Sequence, residues 1–120
     1  VNWRSLWNLR FGRAEEDAEN FRVVNGFVEE IGKPIRDINR VNGQYMGLLR
    51  FTPQVWSKIK SFLNQLSDAE INRLDITTLL DKLLETGLKI KGVENNLPWY
   101  EVDTPSDLNA YHDMPRVVLT

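Results

Sequence analysis

An α/β fold with a partial mixed sheet and flanking helices is what this chain predicts, and three observations predict it. Asn25-Gly26 stands between two strand-like runs, Phe21 to Val24 and Phe27 to Ile31. That dipeptide is the strongest short-range hairpin signal, because both turn positions need positive φ. Thr52-Pro53 and Thr104-Pro105 each set a capping residue before a proline suited to the first helical position. Leu88-Lys89-Ile90-Lys91-Gly92-Val93 alternates with the period of a strand that has one exposed, lysine-bearing face. The order is hairpin, strand, helices, strand, strand, helix, which has too few helical crossovers for a whole doubly wound domain.

Taken from the start, Trp3, Leu6, Trp7 and Arg10 recur at helical spacing. The chain therefore opens on an amphipathic helix whose tryptophans pack on a sheet, with ligand stacking by those rings as the alternative. An acidic patch, Glu15-Glu16-Asp17, follows. After the hairpin, Gly32-Lys33-Pro34 ends the second strand. Lys33, held between a glycine and a proline, is placed to present an ammonium to a phosphate; a solvated loop lysine is the plainer alternative.

Residues 35 to 43 are polar and end in the turn Asn42-Gly43. The run from Gln44 to Phe51 is so continuously apolar that a buried strand of a mixed sheet is expected there. Gly47 in its middle marks a bulge or a close approach of backbone to a ligand. Thr52-Pro53 then opens a helix with Val55, Trp56, Ile59, Phe62, Leu63 and Leu66 on one stripe. Ser67 and Glu70 form a capping box for a short helix reaching Arg73. Asp75 caps a third helix that buries Ile76, Leu79, Leu80, Leu83 and Leu84 and ends at Gly87. Packing explains these leucines without a cofactor.

The most informative stretch comes late. Trp99, Tyr100 and Val102 have the character of a short strand. Thr104 and Pro105 then start a helix running to about His112, and Asp107 completes an acidic variant of the capping box. Glu101 and Asp103 thus stand where open α/β sheets place their ligands, the position of a metal or phosphate site. The alternative for Asp103 is a helix-start carboxylate with no ligand. Residues 115 to 120 read as an added edge strand or a frayed end.

Composition narrows the function classes. With 120 residues and 42% hydrophobic content, the chain makes one small domain or part of a larger one. A formal charge of −2 supplies no polycationic face for nucleic acid. The chain has no cysteine, which excludes disulfides and thiolate metal sites. Its one histidine, His112, argues against a histidine-rich centre and reads as a surface or helix-end residue. No run approaches the roughly 20 apolar residues that span a bilayer, and no signal segment opens the chain, so a cytoplasmic protein is expected. The sequence starts at Val1 with Trp3 and Trp7 close behind, and a preceding portion is expected to belong with it.

Three pieces, in order, carry a family resemblance: Trp3 to Phe21, with Trp-x-x-x-Trp, Arg10-Phe11 and Asp17-Ala18-Glu19; Glu30-Ile31-Gly32-Lys33 with Gly43-Gln44-Tyr45-Met46-Gly47-Leu48; and Trp99 to Leu108. The chain resembles the C-terminal half of nucleotidyltransferases of the sugar-phosphate and phosphocholine cytidylyltransferase type, relatives of the molybdenum-cofactor guanylyltransferase fold. The resemblance implies one half of a three-layer nucleotide-diphospho-sugar transferase fold. It implies transfer of a nucleotidyl group from a nucleoside triphosphate to a phosphorylated acceptor, with release of pyrophosphate. It also implies that Asp103 binds Mg²⁺ and that Glu101 orients a metal-bound water. By the same resemblance Lys33 is the catalytic candidate, contacting the acceptor phosphate, and Gln44 and Tyr45 line the acceptor pocket. The family's glycine-rich triphosphate loop and first metal-binding aspartate have no counterpart in this sequence. The expectation is therefore the acceptor-binding and metal-binding half of such an enzyme, inactive alone. From a different class, the alternative is a non-catalytic domain that self-associates through an exposed sheet edge.

Overall fold

A computed structural model describes residues 3–11 and 18–112. The described chain divides into two compact units, one formed by residues 19–93 and the other by 3–11, 18 and 94–112. The α/β class holds, with five α-helices and one small sheet among the described residues. None of these helices is long and apolar enough to cross a membrane.

The unit of residues 19–93 is built on the hairpin of β1 (Phe21–Val24) and β2 (Phe27–Ile31), which pair antiparallel. Asn25 (φ 51°) and Gly26 (φ 82°) both take the positive φ that the Asn-Gly signal demands. Three helices follow: α2 (Pro53–Leu63), α3 (Asp68–Arg73) and α4 (Ile76–Glu85). Val28 and Ile31 of β2, Ile59 of α2 and Leu80 and Leu83 of α4 make the buried core.

The caps of these three α-helices form as the sequence predicts. Thr52 Oγ1 accepts from the Val55 amide at 3.2 Å, and Asp75 Oδ1 from the Thr78 amide at 2.8 Å. Ser67 and Glu70 close a reciprocal capping box, the Ser67 amide donating to Glu70 Oε2 at 2.7 Å and the Glu70 amide to Ser67 Oγ at 3.2 Å. Beyond α4, the Gly87 amide donates to the Leu84 carbonyl and the Leu88 amide to the Leu83 carbonyl, with Gly87 at φ +90°. This is the Schellman pairing that a glycine just past a helix end makes available.

The sheet is smaller than expected, for identifiable reasons. Residues 44–51 form no strand: Leu48 is 82% exposed, and Leu49 and Phe51 are also exposed. Gly47 adopts φ +82°, which breaks an extended run. The β1 edge where a third strand would pair is also taken. Asn42 Oδ1 accepts from the Val23 amide at 2.9 Å, its Nδ2 donates to the Val23 carbonyl at 2.7 Å, and its own amide donates to the Phe21 carbonyl. One asparagine side chain thus imitates a strand, so the edge suggested for self-association is blocked at Val23. Trp56, placed on the buried stripe of α2 by its spacing, is exposed and lies 6.2 Å from the Phe51 ring. Residues 88–93 contribute a single bridge, Phe27 to Lys91, with hydrogen bonds from the Val28 amide to the Ile90 carbonyl and from the Gly92 amide to the Gly26 carbonyl.

Gly32 fixes how β2 hands over to its loop. It sits at φ +76°, and a β-carbon there would lie 2.8 Å from the Thr77 carbonyl oxygen of α4. Gly32→Ala is expected to lower stability by about 1–3 kcal/mol, the cost of a strained backbone, with the collision adding to it. Urea titration of the variant checks this.

Candidate functional site

The unit formed by residues 3–11, 18 and 94–112 holds the carboxylates that the sequence singles out. Its helix α1 (Trp3–Phe11) buries Leu6 and Trp7 completely or nearly so, against Trp3, Ala18, Trp99 and Tyr111. Trp7 and Trp99 lie with ring centroids 5.7 Å apart. Arg10 falls on the same helical face one turn beyond Leu6 and Trp7, and its side chain is only 1% exposed. A cation carried on an apolar face must be paired where it lands.

Its partners come from the segment before α5 (Pro105–His112) and from α5 itself. Arg10 Nε donates to Asp107 Oδ1 and Nη2 to Asp107 Oδ2, both at 2.9 Å. Nη2 also donates to Asp103 Oδ2 at 2.7 Å, and Nη1 to Glu101 Oε2 at 3.1 Å. One guanidinium therefore gathers three carboxylates, with a bidentate grip on the buried one. The Trp7 ring lies under the guanidinium carbon at 4.9 Å.

Asp107 has a second task. Its Oδ2 accepts from the amides of Asp103 (2.9 Å) and Thr104 (3.0 Å), while its own amide donates to Thr104 Oγ1 at 3.3 Å. This is the acidic capping box read from the sequence. Tyr111, one turn further along α5, donates its hydroxyl to the Glu101 carbonyl at 2.6 Å and meets the Tyr100 ring edge-on at 5.2 Å. Glu101 and Asp103 are thus fixed by backbone contacts as well as by Arg10. Residues 99–102 form no strand, so the carboxylates stand on a tethered loop instead of a strand end.

Electrostatics follow the geometry. The Arg10 hydrogen bonds hold the Asp107 carboxyl well below the usual carboxylate range, aided by the amides of Asp103 and Thr104 and opposed by burial. The same pairing raises Arg10 further above its ordinary value. Burial raises the Tyr111 hydroxyl, opposed by its hydrogen bond to the Glu101 carbonyl. Because the folded value of Asp107 lies below the unfolded one, its contribution to stability is complete only above about pH 5, about one unit above the ordinary carboxyl value, and is lost progressively as pH falls toward the folded value. Melts of this unit between neutral and strongly acid pH are expected to show an acid limb starting below about pH 5, and Asp107→Asn to flatten it.

Asp103 and Asp107 differ in what they can offer a cation. Both Asp107 oxygens are engaged and its side chain is 2% exposed, whereas the Asp103 side chain is 68% exposed and meets Arg10 through Oδ2. The Glu101 side chain is one-third exposed. Among the described residues no three His, Cys, Asp or Glu side chains are grouped to hold a metal ion. The donors present fit an ion that takes one or two carboxylates and completes its shell with waters and phosphate oxygens, which is the habit of Mg²⁺.

The remaining sequence candidates lie in the unit of residues 19–93. Lys33 Nζ is 3.5 Å from Asp81 Oδ1 and 3.7 Å from Glu85 Oε1, both on α4, and its side chain is more than half exposed. Gln44 Nε2 is 3.5 Å from the Tyr45 carbonyl oxygen, and Gln44 Oε1 is buried without a hydrogen-bond partner among the described residues. Tyr45 packs against the core, and burial, then Glu19, raises its hydroxyl. Sequence reasoning grouped Glu101 with Asp103 but did not assign Arg10 to the site. The signal was present in the spacing, which puts an arginine on the face that buries Leu6 and Trp7.

No family model and no solved structure matches the chain. Among curated proteins it is similar to the CTP:phosphoglutamine cytidylyltransferase of Campylobacter jejuni, 32% identical over 115 residues that cover 91% of this chain and 46% of that protein. The chain therefore spans about half the length of the curated relative it matches.

Proposed function

We propose that this chain is the acceptor-binding and metal-binding half of a Mg²⁺-dependent nucleotidyltransferase that uses CTP and a phosphorylated small-molecule acceptor. The observation that carries the reading is the 32% identity to a cytidylyltransferase across 91% of the chain. The exposed Asp103 carboxylate beside Glu101 supports it from the side of chemistry.

In this reaction an oxygen of the acceptor phosphate attacks the α-phosphorus of the triphosphate. A new P–O bond forms, the α–β bridge breaks, and pyrophosphate carries away the electron pair. A bound Mg²⁺ supplies charge neutralisation around the phosphates. Asp103 would hold it directly and Glu101 through a water. Lys33 would meet the acceptor phosphate as a point charge, exchanging its weak exposed pairs with Asp81 and Glu85 for a phosphate. Gln44 and Tyr45 would line the acceptor pocket, with the unpartnered Gln44 Oε1 taking a donor from the acceptor.

The triphosphate needs a cradle of backbone amides, which glycine-rich loops provide. No Gly-x-Gly occurs in this sequence, so the cradle would come from a further segment. Calorimetric titration of CTP into the chain, with Mg²⁺ present throughout, is accordingly expected to show weak or no binding of the triphosphate. A tight complex with CTP would contradict the proposal. Self-association is the second reading, favoured by the exposed Leu48, Leu49, Phe51 and Trp56; a strict monomer in sedimentation at high concentration removes it.

A further inference from the structure

The geometry points to Arg10 as the residue that positions the Asp103 and Glu101 carboxylates for a divalent cation, an assignment that rests on Asp103 being the magnesium ligand proposed above. An aspartate with a 68% exposed side chain on a loop before a helix has several staggered rotamers open to it. The 2.7 Å bond from Arg10 Nη2 to Oδ2 selects one of them and leaves Oδ1 outside that contact.

Arg10 can do this because it is itself buried and held at more than one nitrogen. Its Nε and Nη2 are clamped by the two Asp107 oxygens, and Asp107 is in turn oriented by the amides of Asp103 and Thr104. The planar fork then has its Nη1 edge on Glu101. The Glu101 and Asp103 carboxylates thus share one guanidinium seated on α1, while backbone contacts to Tyr111 and Asp107 hold the loop that carries them. A lysine could not substitute, since a single ammonium cannot hold a bidentate carboxylate and two further carboxylates in one plane. Groups that orient metal ligands from behind commonly matter to affinity by ten- to a hundredfold.

The alternative is that Arg10 only ties α1 to α5. Titration of the native, isotope-labelled chain with Mg²⁺ separates the two, following the Asp103 amide and the Arg10 Nε–H by NMR. The expected result is that both signals move on one binding curve, that Asp103→Asn abolishes both shifts, and that Arg10→Lys raises the half-saturating Mg²⁺ by about tenfold while the spectrum stays dispersed. An Arg10 Nε–H that stays still while Asp103 titrates overturns the assignment, as does Arg10→Lys with the native half-saturation. In both cases Asp103 keeps its role. If Asp103→Asn titrates like the native chain, or Asp103 shows no saturable shift at millimolar Mg²⁺, Asp103 is not the ligand and the proposed function falls together with the assignment. Should Arg10→Lys fail to fold, the native titration alone decides.

Discussion

Asp107→Ala is expected to cost about 3–5 kcal/mol, the loss seen when one partner of a buried ion pair is removed. The truncation removes the bidentate and most buried partner of the Arg10 guanidinium, whose side chain is 1% exposed. It also leaves the Asp103 and Thr104 amides without the oxygen they share and takes away half of the α5 capping box. Against a typical small-domain stability of about 5–15 kcal/mol, that is a large fraction of the total and lowers the urea midpoint of the unit markedly. Trp3, Trp7 and Trp99 all belong to this unit, so tryptophan fluorescence during urea titration reports its unfolding. The cause can be told from general fragility by a double replacement. Arg10→Met with Asp107→Leu removes both charges at once and is expected to be less damaging than either single change, because no buried charge is left unpaired.

Asp103→Ala is expected to behave in the opposite way. Its side chain is mostly exposed, and Arg10 keeps Asp107 and Glu101 when it is gone. The stability change should therefore be within about 1 kcal/mol, as for exposed ion pairs. In a complete enzyme containing this chain, however, kcat is expected to fall by about 10²–10³-fold, the range found when one group stabilising transition-state charge is deleted. Steady-state kinetics beside a thermal melt of the same variant check both halves. Full activity in a folded Asp103→Ala enzyme would show that the carboxylate is only a helix-start residue.

What could be read from the sequence was mostly local. The Asn25-Gly26 turn, the Ser67/Glu70 box, the Asp75 cap, Gly87 beyond α4 and the Thr104/Asp107 box all rest on interactions within a few residues, and each forms as its residue types dictate. The failures are long-range. Gln44 to Phe51 has strand composition, but its pairing edge is occupied by the Asn42 side chain, and no pattern within the run announces that. The candidate site shows the same division. Glu101, Asp103 and Asp107 could be grouped because they lie in one short stretch, while Arg10 reaches them across more than ninety residues of chain. An arginine at helical spacing from Leu6 and Trp7 announces that a buried partner is needed without saying which one.

The most direct measurement is pyrophosphate release from CTP and a phosphorylated acceptor, with this chain alone and then with a segment carrying a glycine-rich triphosphate loop added. The account predicts no turnover by the chain alone and turnover once that segment is present. Robust pyrophosphate release by the isolated chain, or none in any combination that folds and binds CTP, would contradict it.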